Sequence, residues 1–301
     1  MLSRRLLLCH AATGLALAPA LARAQGSRPS EIVFAVVPAE NAAGVTERYG
    51  PFVEYMSRTV GTRFTLRVAN DYAAVIEGQR SGNIQLAYYG PSAFARALMT
   101  GTQAEAFLIE VNEDGSKGYY SVFYVRAGTP YQNVQDLRGR NLGLVDPNST
   151  SGNNVPRYAL NRMGINPEQF FGRVVYTGSH ENAVIALQQG TVDVAANWWN
   201  NEQESNLLRM ERKGMVKAGD FRIVFRSEQI VNSPMAYLSS LPADLKASIR
   251  QAMLDLPQRE PALFQRMTDG KQRPWEPVDN SAYQPIIELN RFVDNLRRQR
   301  G

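Results

Sequence analysis

Apolar and polar positions along this chain follow two alternating periods. Ile32-Val33-Phe34-Ala35-Val36-Val37 is an unbroken apolar run, the pattern of a strand covered on both faces of a parallel sheet. Phe52, Val53, Met56 and Val60 then recur at helical spacing and stop at Gly61, a helix-end residue. The same succession predicts strands over 64–68 and 84–89, and helices over 73–80 and 92–99. Further along it predicts strands over 142–145, 174–177, 192–195 and 222–225, with helices over 155–163, 183–189 and 201–212 between them. Residues 241–256 and 285–298 read as closing helices, and 272–279 as a proline-containing loop. Strands alternating with helices predict an α/β fold of doubly wound sheets.

A chain of 301 residues is about two domains long. Residues 119–125 are an extended stretch followed by Gly128-Thr129-Pro130, a natural first crossover, and 228–234 is a natural return. The expected organisation is therefore a first lobe made of 25–124 and 232–301, with a second lobe, 125–231, inserted between them.

The first residues stand apart from this pattern. Arg4-Arg5 is followed by Leu6-Leu7-Leu8-Cys9, more alanine and leucine, and then Ala22-Arg23-Ala24. A basic start, a short apolar stretch and a small-residue end predict an export leader over 1–24 and a periplasmic mature protein. Both the Sec and the twin-arginine routes fit Ser3-Arg4-Arg5. Without the leader's three arginines the net charge falls from +5 to +2, which removes the case for a nucleic-acid partner. Cys9 and His10 leave with it, so the mature chain has no cysteine and one histidine, His180.

That inventory narrows the chemistry. Disulfides, thiol nucleophiles and thiolate metal sites are excluded, and no zinc site can be built on several histidines. No G-x-S-x-G, G-x-x-x-x-G-K-[ST] or G-x-G-x-x-G occurs. An exported enzyme such as a phosphoesterase would need a metal cluster or a nucleophile–base pair. A binding protein needs neither, and no cofactor is expected.

In open α/β sheets ligands sit beyond the carboxyl ends of strands, where helices begin. Four such junctions carry small polar residues: Asn70-Asp71-Tyr72, Tyr89-Gly90-Pro91-Ser92, Asp146-Pro147-Asn148-Ser149-Thr150-Ser151-Gly152, and Thr177-Gly178-Ser179-His180. Any one of these is explained by helix capping. A cap needs one hydroxyl, however, and Ser149, Thr150 and Ser151 supply three. Hydroxyls together with free backbone N–H groups at a helix start suit a tetrahedral oxyanion. A protonated His180 would strengthen the hold. Trp198 and Trp199 serve either as a pocket wall or as lobe packing.

These blocks resemble the periplasmic solute-binding components of phosphate/phosphite/phosphonate ABC importers. The resemblance runs from about Val33 to Ala236 and rests most specifically on Asp146-Pro147-Asn148-Ser149-Thr150-Ser151-Gly152 and Gly178-Ser179-His180-Glu181-Asn182-Ala183. Asn70-Asp71-Tyr72-Ala73, Ala87-Tyr88-Tyr89-Gly90 and Asp114-Gly115-Ser116-Lys117-Gly118-Tyr119-Tyr120 support it. It implies a two-lobed protein with a two-strand hinge. It also implies a phosphorus oxyanion held by Ser149, Thr150, Ser151, His180, Tyr72 and Tyr119, with Tyr89 at the same junctions. Relatives specialised for 2-aminoethylphosphonate hold its ammonium with two carboxylates. Those positions fall here at Asn200 and Ser233, both neutral, with Glu202 the nearest replacement for the first. The expected partner is an inner-membrane ABC permease. The alternative function is a ligand-sensing subunit of the same fold working with a membrane receptor kinase.

Overall fold

The computed structural model describes residues 28–298; the leader lies outside them. The chain begins with β1 (Glu31–Val36), α1 (Ala42–Val60), β2 (Arg63–Val68), α2 (Tyr72–Arg80), β3 (Leu86–Tyr88), α3 (Pro91–Met99) and β4 (Ala104–Asn112). It continues through β5 (Gly118–Arg126), β6 (Asn141–Leu144), α4 (Val155–Arg162), α5 (Pro167–Phe170), β7 (Arg173–Tyr176), α6 (His180–Gln188), β8 (Val194–Asn201), β9 (Glu204–Ser205), α7 (Asn206–Arg212), β10 (Phe221–Arg226) and β11 (Ile230–Val231). It closes with β12 (Pro234–Leu238), α8 (Ala243–Arg259), α9 (Pro261–Thr268), β13 (Gln272–Pro277) and α10 (Gln284–Arg298).

Local chemistry sets many of these boundaries. Asn41 caps α1 by accepting from the Gly44 N–H, and Gly61 ends it in the left-handed region at φ 69°, where a side chain would be strained. Asp71 caps α2, Ser179 caps α6 and Ser205 caps α7. Capping is thus part of what the polar junction residues do.

The strands form two sheets, each flanked by helices. The first has the order β13-β4-β12-β3-β1-β2, with β1 parallel to β2 and β3, and β12 antiparallel to β3 and β4. The second has the order β10-β5-β8-β6-β7, with β6 parallel to β7 and β8, and β5 antiparallel to β8 and β10. Both sheets are therefore mixed, where the alternation of periods pointed to doubly wound ones.

Two features depart from the sequence reading. Residues 272–277 form a strand, β13, although Pro274 has no amide hydrogen to give. β13 lies at the sheet edge and carries a register shift between Arg273 and Glu276, the settings in which a strand tolerates proline. Second, all of β5 pairs within the second sheet, so the chain leaves the first lobe at 113–117 and not after Tyr124. It returns at Asn232 and Ser233. The two passages lie side by side, the Asn232 N–H donating to the Lys117 carbonyl at 2.9 Å.

Each lobe has its own apolar core, around Phe34, Phe52, Met56 and Leu108 in one and Phe123, Leu142, Leu144 and Leu160 in the other. The lobes are closed on each other. The Asn41 backbone and side-chain amides both donate to Glu181 Oε2, at 2.9 and 2.8 Å, and the His180 N–H donates to the Ala39 carbonyl at 3.2 Å.

Candidate functional site

Between the lobes lies a cavity of about 130 Å³, lined from both sides. Its size is near that of a buried cavity able to hold a benzene-sized ligand. Ser149, Thr150 and Ser151 line one end, Ser149 capping a single π-helical turn over Thr150–Asn154 that leads into α4. Such wide turns are rare and recur at functional sites. Gly152 makes this one possible. A Cβ there would meet Val145 Cβ at 2.4 Å, so only glycine lets the turn pack on the end of β6.

The three hydroxyls are part of a donor ring. Ser149 Oγ accepts from the Gly152 N–H at 3.1 Å, and Thr150 Oγ1 accepts from the Ser92 N–H at the start of α3 at 2.8 Å. The second bond links the lobes. The Tyr72 hydroxyl faces the Ser149 hydroxyl, and the Tyr119 hydroxyl faces those of Thr150 and Ser151. Burial pushes both phenols well above their usual range, so they remain neutral O–H groups.

His180, at the first turn of α6, completes this end. Its Nδ1 lies 3.1 Å from Asn197 Oδ1, and its Nε2 lies 3.4 Å from Ser149 Oγ. Asn197 is oriented by two further bonds: its Nδ2 donates to the His180 carbonyl at 3.0 Å and its Oδ1 accepts from the Trp198 N–H at 3.0 Å. With Oδ1 facing it, Nδ1 must carry the proton, and Nε2 is left as an acceptor. Burial, aided by the nearby positive Arg209, lowers the imidazole pKa to about 3. Burial therefore favours the neutral ring, where the sequence reading considered a protonated one.

The remaining expected residues divide. The Tyr89 ring lines the cavity, but its hydroxyl turns into the first lobe and donates to Gln79 Oε1 at 3.0 Å. Glu202 is exposed in the turn between β8 and β9 and does not line the cavity. Asn200 and Ser233 do line it. Trp198 walls the cavity and carries the Arg209 guanidinium 4.9 Å from its ring. Trp199 packs instead against Tyr120, with ring centroids 5.7 Å apart.

The other end is charged, which the sequence reading missed. Arg48 pairs with Glu40 at 2.8 Å and Asp269 at 3.1 Å, and Arg209 pairs with Asp269 at 2.6 Å. Arg212 pairs with Glu204 at 2.8 Å, and Lys213 with Glu40 at 2.5 Å and Glu181 at 2.8 Å. Burial alone would raise the Glu40 and Asp269 pKa values, but the surrounding guanidinium groups hold both below the usual carboxylate range. Two of these pairs, Arg209–Asp269 and Lys213–Glu40, cross between lobes. Glu110, on β4, also lines this end; burial raises its pKa against hydrogen bonds from Tyr88 and Gln272.

A two-lobed α/β protein with a hydroxyl-lined cleft has known counterparts. The family described as ABC transporter, phosphonate, periplasmic substrate-binding protein matches residues 34–283. The chain belongs to this family. The phosphonates-binding periplasmic protein of Escherichia coli K12 is 28% identical over 266 residues, covering 86% of this chain and 75% of the relative. The phosphate-import protein PhnD of Mycolicibacterium smegmatis is 29% identical over 216 residues, covering 69% of this chain and 66% of the relative. Among solved structures, a binding-protein component of an ABC phosphonate transporter from Pseudomonas aeruginosa has a TM-score of 0.78 at 25% identity, covering 87% of this chain and 86% of its own. PhnD1 of Prochlorococcus marinus, solved with methylphosphonate, shares the fold at a TM-score of 0.77 and 17% identity, covering 89% of this chain and 99% of its own. Members of this family are periplasmic substrate-binding proteins of transporters rather than enzymes.

Proposed function

We propose that this protein binds a phosphonate or related phosphorus oxyanion between its lobes and delivers it to an inner-membrane ABC permease. The observation that carries this reading is the convergence of Ser149, Thr150, Ser151, Tyr72 and Tyr119 on one end of an inter-lobe cavity. Three phosphonate oxygens offer many lone pairs in a tetrahedral array. Hydroxyls and N–H groups at a helix start meet that array without supplying a compensating charge.

Tyr72 belongs to the first lobe and the 149–151 turn to the second, so an anion touching both favours the closed arrangement. A ligand shifts such an equilibrium by its differential affinity for the two states. Export from residue 25 onward would place the protein in the periplasm, and an intact mass of the secreted chain that still includes residues 1–24 would refute that step.

The direct test is a thermal-shift and calorimetry series with methylphosphonate, phosphite and phosphate. Ligand at ~100 times its dissociation constant should add about 2.7 kcal/mol of stability. If none of the three stabilises the protein, the reading is wrong.

A further inference from the structure

We propose that Asn290 and Arg297, on the closing helix α10, are positioning residues for the oxyanion site, holding the 149–151 turn in place from outside the cavity. This rests on the reading that the anion sits at that turn.

Neither side chain lines the cavity. Asn290, Val293, Asp294 and Arg297 stand at i, i+3, i+4 and i+7 of α10, so they share one face. Arg96 of α3 docks that face, its guanidinium holding the Asp294 carboxylate with two bonds at 2.6 and 2.7 Å. Such a bidentate pair fixes orientation as well as distance. One turn earlier, Asn290 Nδ2 donates to the Ser92 carbonyl at 2.9 Å. The Ser92 N–H in turn donates to Thr150 Oγ1 at 2.8 Å. Helix α3 has no side-chain cap of its own, Gly90 standing at its N-cap position. Thr150 of the second lobe therefore supplies that acceptor across the cleft. With this lone pair engaged, the Thr150 hydroxyl hydrogen is free to point at the anion.

A second chain of bonds reaches the far side of the turn. Arg297 Nη2 donates to the Tyr176 hydroxyl at 3.0 Å, and that hydroxyl donates to Asn153 Oδ1 at 3.1 Å. Arg157 Nε donates to the same oxygen at 2.9 Å, and Asn153 Nδ2 donates to the Pro147 carbonyl at 2.8 Å. Asn153 thereby ties together the two ends of the segment that carries the three hydroxyls. Asn290 itself is fully buried, and its Oδ1 has no partner among the described residues. Ser92 lies within α3, whose own ladder already uses its carbonyl. An asparagine at 290 therefore lowers stability relative to a leucine of similar size. What it adds is a fixed position for Ser92 against Thr150.

The experiment is calorimetry with methylphosphonate on the mature protein, arranged as two double-mutant cycles. Asn290→Leu is expected to weaken binding about fivefold in the wild-type background, and to have no further effect once Thr150→Val has removed the hydroxyl it acts through. Arg297→Met is expected to weaken binding about threefold, and to add nothing to Tyr176→Phe. A general loosening of the fold would instead weaken binding by the same factor in every background. Unchanged affinity in either single variant, or equal factors in both backgrounds of either cycle, overturns the proposal while the oxyanion site stands. If wild type binds none of methylphosphonate, phosphite and phosphate, the oxyanion reading and this proposal fall together. Tyr176 is exposed and Arg297 half-buried, so their cycle decides the matter even if a melting curve shows that Asn290→Leu is unfolded.

Discussion

Asn197 Oδ1 faces His180 Nδ1 at 3.1 Å, and that contact leaves Nε2 as the imidazole nitrogen turned towards Ser149 and the cavity. Nε2 points at Ser149 as an acceptor. Around a phosphonate it matches an oxygen that still carries its proton, whereas the surrounding hydroxyls match the bare oxygens.

Neutral His180 has a consequence for stability. Its ordinary pKa of 6.5 falls to about 3 on folding, so the unfolded chain takes up the proton first. The stability tied to this residue is complete above about pH 6.5 and is lost as pH falls towards 3. Between pH 8 and pH 5 the loss should be ~2 kcal/mol by proton linkage. Urea unfolding of wild type against His180→Gln at both pH values measures it. Identical pH slopes for the two proteins would contradict the assignment.

The 149–151 hydroxyls should carry much of the affinity. Hydrogen bonds to a charged group contribute roughly 1.5–3 kcal/mol each. The double variant Ser149→Ala, Thr150→Ala is expected to bind methylphosphonate at least tenfold more weakly. Its melting temperature should remain within a few degrees of wild type, because the cores of both lobes are untouched. Unchanged affinity by calorimetry would move the anion elsewhere.

Gly152→Ala is expected to be harsher than a surface change. The new Cβ would lie 2.4 Å from both Val145 Cβ and Val145 Cγ2, and overpacking of this kind costs about 1–3 kcal/mol. Relief requires the turn to lift off β6, which also displaces the Ser149 and Thr150 hydroxyls. Loss of both stability and affinity is the expected pair of results; a stable variant with normal binding would show that the turn has room.

Glu40 holds buried Arg48 at 2.8 Å. Removing one member of a buried pair leaves the other uncompensated, at about 3–5 kcal/mol. Glu40→Gln should therefore lower unfolding stability by about 3 kcal/mol near neutral pH. Because the Glu40 pKa is held below its ordinary 4.5, this contribution is present above that value and fades as pH drops beneath it. A loss smaller than ~0.5 kcal/mol would mean that Asp269 and the backbone carbonyls hold Arg48 unaided.

Glu202 offers a control. It is exposed and away from the cavity, so Glu202→Gln should leave both the affinity and the ligand preference unchanged. A calorimetric difference above about threefold would return it to the site.

What the sequence determined by itself is the local part of this protein. The strand–turn–helix junctions, the caps at Asp71 and Ser179, and the run Ser149-Thr150-Ser151-Gly152 are contiguous in the chain. Their chemistry follows from backbone N–H groups that any helix start leaves free. The exposed turn carrying Glu202 and the edge strand carrying Pro274 were misread because neighbours, not spacing, decide exposure and pairing. Glu110 was invisible for the same reason: it lies on an unrecognised strand, and its partner Gln272 is 162 residues away. Only the tertiary structure brings Arg209 to Asp269, turns the Tyr89 hydroxyl inward and, by burial, favours neutral His180. Charge balance and protonation are sums over neighbours in space in a medium of low dielectric, and the order of residues along the chain does not contain those neighbours.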